Sequence, residues 1–342
     1  MTRRLLALVA VAACALTACG GGGADGATAS TPPPAVSTTP PASVSPPDPG
    51  KPDLLTGAPP AGTGPVIALK VDNGLLARKY QRGLDKAALV YQELVEGGAT
   101  RFVAVFSGAP DVEVGPIRSA RQSDLELLQQ FGPIGLGFSG ANAGVAGIIA
   151  KAVRAGTVTD VSYNAVTRAY RLGEQRSDAR NFFTNPSQLA AAKPGAGGPK
   201  DIGLVFSPTA PAGTPAPAAT VRVSASSVDT VTWNAATSTW TVAQGGTPVN
   251  GLAPANVVVQ YVKTTTSQFK DVNGSPTPYT QTIGTGKVSV LRNGVLVSGT
   301  WSRPKATDPT TLKDAAGAPL PLAPGPTFWV LLPTSTGSVS VG

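Results

Sequence analysis

LVYQELVEGGATRFVAVF, residues 89–106, decides how this chain folds. Two apolar runs flank Gly97-Gly98, and a two-residue glycine loop between such runs marks a tight β-hairpin. In that register Glu96 faces Ala99, Leu94 faces Arg101, Glu93 faces Phe102 and Tyr91 faces Ala104. Strand side chains alternate between faces. Gln92, Glu96 and Arg101 then share one face, with Glu96 diagonal to Arg101 and near enough to pair. Glu93 falls on the other face with Tyr91, Val95, Thr100, Phe102 and Ala104, where a carboxylate needs a partner or an upward pKa shift. A helix over 84–95 also fits, with Leu84, Ala87, Ala88, Tyr91, Leu94 and Val95 on one stripe and both glutamates in solvent. The β-type run from Phe102 to Phe106 favours the hairpin.

Outward from the hairpin, residues 65–71 read as a buried strand ending in Asp72-Asn73. A helix is expected over 119–131, a short strand over 133–138 and a small-residue helix over 141–153. Past a break rich in Gly, Ala and Pro at 193–217, short strands are expected at 230–233, 240–243, 256–263, 288–291, 295–300 and 328–332. Asn293-Gly294 is the strongest hairpin signal of that region. The fold class implied is α+β: a mixed layered N-terminal part over 65–200 and a β-rich C-terminal part over 201–342.

The N-terminus carries a different message. Arg3-Arg4, an apolar run over 5–16 and Leu16-Thr17-Ala18-Cys19 make residues 1–19 a secretory signal, too short to span a bilayer. Leu16 to Cys19 resembles the bacterial lipobox, which makes Cys19 the expected lipidation site and the membrane the expected partner. Residues 20–64, largely Gly, Ala, Ser, Thr and Pro, are expected to form a disordered tether. The protein would then work on the extracytoplasmic face of the cell membrane.

Composition narrows the chemistry further. The chain has no histidine and two cysteines, Cys14 and Cys19. His-based triads, His-based zinc sites and thiol catalysis are therefore excluded. No cofactor is expected, although a hard divalent cation held by oxygen ligands stays possible. The net charge of +8, in an exported chain, favours anionic envelope polymers over nucleic acid.

Several blocks then match a known pattern. They are Val66 to Asn73, Gly83 to Ala87, Val90 to Arg101 and GPIRSAR at 115–121. The match continues through Asn256 to Gln260, Gly284 to Lys287, Gly299-Thr300-Trp301 and Pro324 to Trp329. In this order they resemble the YerB-like lipoproteins, a family defined by domains of unknown function. The resemblance implies a Gram-positive-type envelope lipoprotein of mixed α and β layers, with no established reaction or catalytic residue.

The candidate binding residues are Asp72, Asn73, Glu93, Glu96, Thr100, Arg101, Arg118, Ser119, Arg121 and Asp124. Ser119 with Gln122 fits a capping box, starting a helix at Ala120 with two arginines at its positive end, a combination suited to phosphate or carboxylate. Asp72 and Asn73 sit at a strand end, where ligand crevices often open; they also suit a simple turn. Trp233, Trp240, Trp301 and Trp329 are expected to fill the core of the β-rich part. Three functions stay open. The first is binding of an anionic envelope polymer by Arg101, Arg118 and Arg121. The second is a histidine-free glycan or phosphodiester hydrolase using Glu or Asp, and the third a scaffold in which the same charges only lock hairpin to helix.

Overall fold

Residues 89–94 and 100–106 are extended on either side of a tight turn, so the hairpin holds and the helical alternative falls. A computed structural model describes residues 50–177, 179–271 and 274–342. Cys19, its lipobox and residues 20–49 of the expected tether lie outside the described residues.

Alternating and continuous apolar runs produce the strands. The first eight are β1 (Gly64–Asp72), β2 (Leu89–Leu94), β3 (Thr100–Gly108), β4 (Val114–Ile117), β5 (Ile134–Gly137), β6 (Val158–Asp160), β7 (Tyr170–Leu172) and β8 (Phe182–Thr184). Next come β9 (Thr214–Pro215), β10 (Ala218–Arg222), β11 (Val228–Asn234), β12 (Thr239–Gln244), β13 (Thr247–Pro248), β14 (Asn256–Val262), β15 (Thr264–Lys270) and β16 (Pro276–Thr280). The last are β17 (Gly284–Arg292), β18 (Val295–Arg303), β19 (Thr311–Asp314), β20 (Thr327–Pro333) and β21 (Ser338–Val341). The α-helices of the described residues are α1 (Gln122–Leu128), α2 (Ala143–Arg154) and α3 (Pro186–Ala192). The mixed class stands in its coarse form, with strand dominating and helix modest.

One large sheet runs β19-β18-β17-β14-β20-β2-β3-β1-β4-β8-β7, with β5 also on β1 and β6 on β5. Strands from both sides of residue 200 share it. β20 enters between β14 and β2, parallel to both. Every residue of β20 is buried, as its near-continuous apolar sequence requires of a strand covered on both faces. One face of the sheet, with Ala68, Tyr91, Val103 and Trp329, packs on Leu128 of α1 and Val145 and Ile149 of α2. The other, with Leu69, Val71, Phe102 and Phe328, packs on Leu189 of α3 and on a second sheet, β13-β12-β11-β10-β21, through Val221, Val231 and Trp240. Trp301 is also buried and Trp233 packs partly buried on the core, so the tryptophans do fill it.

Three expectations are corrected. The helix expected over 119–131 starts only at Gln122 and ends in a 3-10 turn at Gln129–Phe131. Residues 118–120 are taken by other backbone bonds: Arg118 N–H to Lys70 O, Ser139 N–H to Arg118 O, and Ala120 N–H to Gly140 O. The Ser119–Gln122 capping box is therefore absent, and the Asp124 carboxylate caps the helix by accepting from Arg121 N–H at 2.7 Å. Finally, order begins before residue 64. Leu55 is fully buried, and Asp53 accepts from Leu55 N–H and from the Ser107 hydroxyl, pinning residues 53–58 to the end of β3. A buried leucine and a satisfied carboxylate offset the entropy that the composition suggested would keep this stretch loose.

Candidate functional site

Where β1 ends, its outer edge forks. β5 pairs with it at 67–69, β4 meets it at Val71, and residues 118–121 occupy the wedge between them. The candidate side chains gather at this fork, but in a different arrangement from the sequence reading. The β2–β3 loop has three residues, 96–98, because Val95 N–H bonds to Ala99 O and Ala99 N–H to Glu96 O. Gly97 and Gly98 both take left-handed φ, 67° and 75°, which makes this turn cheap only for glycine. One extra loop residue shifts the register by one. Glu93 thus lies opposite Arg101, and Asp72 opposite Arg101 on the other side.

This shift puts Glu93 on the same sheet face as Lys70 of β1, two strands away. The Lys70 ammonium, fully buried, binds Glu93 Oε1 and, at 2.6 Å, Asp124 Oδ1. Burial pushes the Glu93 carboxyl upward, and Asp124 adds to this against the pull of Lys70. Glu93 Oε2 makes no hydrogen bond in this arrangement. Lys70, Glu93 and Asp124 form a sealed floor.

Above the floor lies a rim of arginines. Asp72 Oδ2 takes Arg176 Nη2 at 2.8 Å and Arg118 Nε at 3.2 Å, while Oδ1 accepts from Gly74 N–H. The second rim carboxylate, Glu96, receives Arg121 through two bonds, Nε at 2.8 Å and Nη2 at 2.7 Å, and a third from the Thr277 hydroxyl. Burial alone would raise Glu96, but Arg121 and Thr277 hold it down at about 2. The expected Glu96–Arg101 pair is thereby replaced by Glu96–Arg121.

Arg101 is the exception on this rim. Its Nη1 donates to Ser119 O at 2.9 Å, and among the described residues it forms no ion pair within 4.0 Å. Burial first, then the neighbouring Arg121 and Arg118, bring it down to about 10 against the opposing pull of Asp72 and Glu96. Among the described residues four guanidiniums thus face two carboxylates, Arg101 without an ion pair and Arg118 sharing Asp72 with a side chain 27% exposed.

Thr100 and Asn73 belong elsewhere. They bond to each other at 2.8 Å on the opposite sheet face, within a polar layer under the second sheet. There Gln92 and Gln244 donate to Asp229, at 2.6 Å and 2.8 Å. Burial pushes Asp229 up to about 7 against those donors and Arg78. Ser119 contributes its carbonyl, accepting from both Arg101 and Arg121. Arg176, Lys70 and Thr277 were missed by the sequence reading. Lys70 was visible as a charge inside an apolar strand, whereas Arg176 and Thr277 sit in segments without a periodic signal. The hairpin β15–β16 roofs this region, tied down by Ser267 to Gln122, Thr280 N–H to Ser123 and Asn142 to Lys270 O.

Comparisons with known proteins fall in line with this layout. Two family models match: the N-terminal domain of a protein of unknown function (DUF3048) over residues 55–198, and its C-terminal domain over 219–330. A curated relative, named "Putative lipoprotein YerB" in Bacillus subtilis (strain 168), is 43% identical over 68 residues, which is 20% of this chain and 20% of that protein. The chain is thus aligned to about a fifth of that relative's length. The crystal structure of the YerB protein from Bacillus subtilis superposes with a TM-score of 0.67 at 21% identity, covering 84% of this chain and 99% of that one. At that identity the likeness is one of fold.

Proposed function

We propose, from the premise that this chain belongs to the DUF3048 family and carries both of its domains, that it binds an anionic envelope polymer or fragment at the arginine rim. Its similarity to a lipoprotein and the lipobox at Cys19 support attachment to the outer face of the membrane. The observation that carries the binding reading is Arg101: a largely buried guanidinium with one carbonyl partner, flanked by two like charges. An arriving phosphate or carboxylate would relieve that repulsion with charge-assisted hydrogen bonds. Arg118, paired with Asp72, keeps part of its side chain open to solvent.

The proposal is tested by isothermal titration of glycerol phosphate oligomers and muropeptides. Wild-type protein should bind one of them, and Arg118→Ala should weaken that binding by about tenfold, the worth of one charge-assisted contact. Equal affinities in the two proteins, or no binding to either, would overturn it. The hydrolase alternative gains no support from the floor carboxylates, since Glu93 and Asp124 are sealed against one lysine.

A further inference from the structure

Among the described residues the three most exposed large apolar side chains are Leu75, Leu172 and Leu76, at 73%, 58% and 51%. Two of them, Leu75 and Leu76, lie close to Asp72 in the chain. They come three and four residues after it, in a loop fixed at its start by Gly74 N–H on Asp72 Oδ1 and at its end by buried Ala77 and by Arg78 on Gln244 O. Leu172 closes β7, four residues before Arg176, whose guanidinium holds Asp72. The base of that second loop is fastened by Gly173 N–H on Asn181 O. The leucines are therefore held outward by ordered supports.

Single exposed leucines are ordinary. Exposed leucines in a loop that leaves an arginine rim, where guanidiniums outnumber carboxylates among the described residues, have the composition of a peripheral membrane contact, in which apolar side chains enter the headgroup–acyl boundary and cations meet lipid phosphates. Lys79, exposed and stacked 4.8 Å over the Tyr80 ring, extends the same mixture along the loop.

We propose that the Leu75–Leu76 loop and the arginine rim dock this end of the molecule onto an anionic lipid surface, the leucines inserting and Arg118 facing the phosphates. The inference rests on the rim's surplus positive charge, as the anion-binding reading does, and specifies a bilayer as what presents the anion. Charge complementarity selects this occupant, since a second copy of the chain would bring arginine against arginine.

The test uses the mature chain, residues 19–342, left unacylated by Cys19→Ser, in cosedimentation with vesicles of equal phosphatidylglycerol and phosphatidylcholine and with phosphatidylcholine alone. Wild-type chain should bind the first and not the second. Leu75→Ser/Leu76→Ser should lower partitioning about tenfold or more, and Arg118→Ala about fivefold. The leucine variant should still bind the soluble oligomers as wild type does, so the two proposals fail separately. Binding of oligomers without binding of anionic vesicles would overturn the docking surface and leave the first proposal standing. Vesicle binding unchanged by the leucine substitutions, or self-association abolished by them in place of vesicle binding, would overturn it too.

Discussion

Lys70 sits between two buried carboxylates, Glu93 and Asp124, and its removal leaves both without their cation. Lys70→Met should cost about 3–5 kcal/mol, the usual penalty for orphaning a buried charge, while Lys70→Met/Glu93→Gln should recover part of it. Urea denaturation checks both, and a loss below about 1 kcal/mol for the single variant would show that the lysine does not neutralise this floor. Asp229 makes a prediction in pH. In the fold it is pushed up to about 7 by burial, from an ordinary value of 3.8. The folded state then binds the extra proton between those values, and its contribution to stability falls as pH rises through that window, levelling off above about 7. Glu93, also raised, works in the same direction. Glu96, held at about 2, opposes them only below the ordinary carboxylate range, where its contribution is lost as pH falls. Asp229→Asn should therefore flatten the fall in stability between pH 5 and 8 by about 1–3 kcal/mol, read from denaturation midpoints at the two pH values. An unchanged slope would place the titration elsewhere. At this scale the sequence showed which residues carry charge near the hairpin and which carboxylate needed a partner. It did not show who the partner was, because Lys70 reaches Glu93 across two strand spacings and Asp124 from a helix.

Turn chemistry decides how much of each element can be read in advance. The β2–β3 hairpin was legible from its glycines, but two left-handed glycines fit a two-residue or a three-residue loop, and that choice decides whether Glu93 shares a face with Phe102 or with Arg101 and Lys70. The β17–β18 hairpin was legible in full, its Asn293-Gly294 turn taking φ of 51° and 72° as a two-residue connection requires. Start signals for α1 misled, because the Ser119 backbone was needed to accept from Arg101 and Arg121. The glycines at 284–287 find their reason in packing. A Cβ on Gly286 would stand 2.6 Å from Trp301 Nε1 and 2.8 Å from Tyr261 O, two atoms that hydrogen-bond to each other at 2.9 Å. Gly286→Ala should break that bond and cost about 1–3 kcal/mol, the usual range for overpacking. Thermal melting followed by tryptophan fluorescence would show it, and a melting temperature equal to wild type would mean that the strand can shift to make room.

On the scale of the molecule, β20 is the strand that joins what composition divides. It was read as a strand from Phe328 to Leu332, but nothing local in an apolar run names its neighbours, so its place between β14 and β2 was beyond reach of the sequence. Residues 50–200 made alone would leave the edge of β2 from Leu89 to Gln92 unpaired, along with buried Tyr91 that packs 5.5 Å from Trp329. An open apolar edge of this kind aggregates. That fragment should be insoluble or lack dispersed amide signals in solution spectra, and a soluble, cooperatively folding fragment would show that β20 is dispensable to the N-terminal half.

β1 starts beside the pinned residues 53–58 and ends at Asp72, so the point where the preceding chain joins the fold and the arginine rim lie about 26 Å apart along one strand. Any pull between a fixed N-terminus and a load gripped at the rim would travel lengthwise through β1. Its seven register pairs with β3 would be strained together in shear instead of being peeled one by one. Such a geometry resists rupture through the height of its unfolding barrier, so the lengthwise pairing of β1 would set how this fold yields to such a pull.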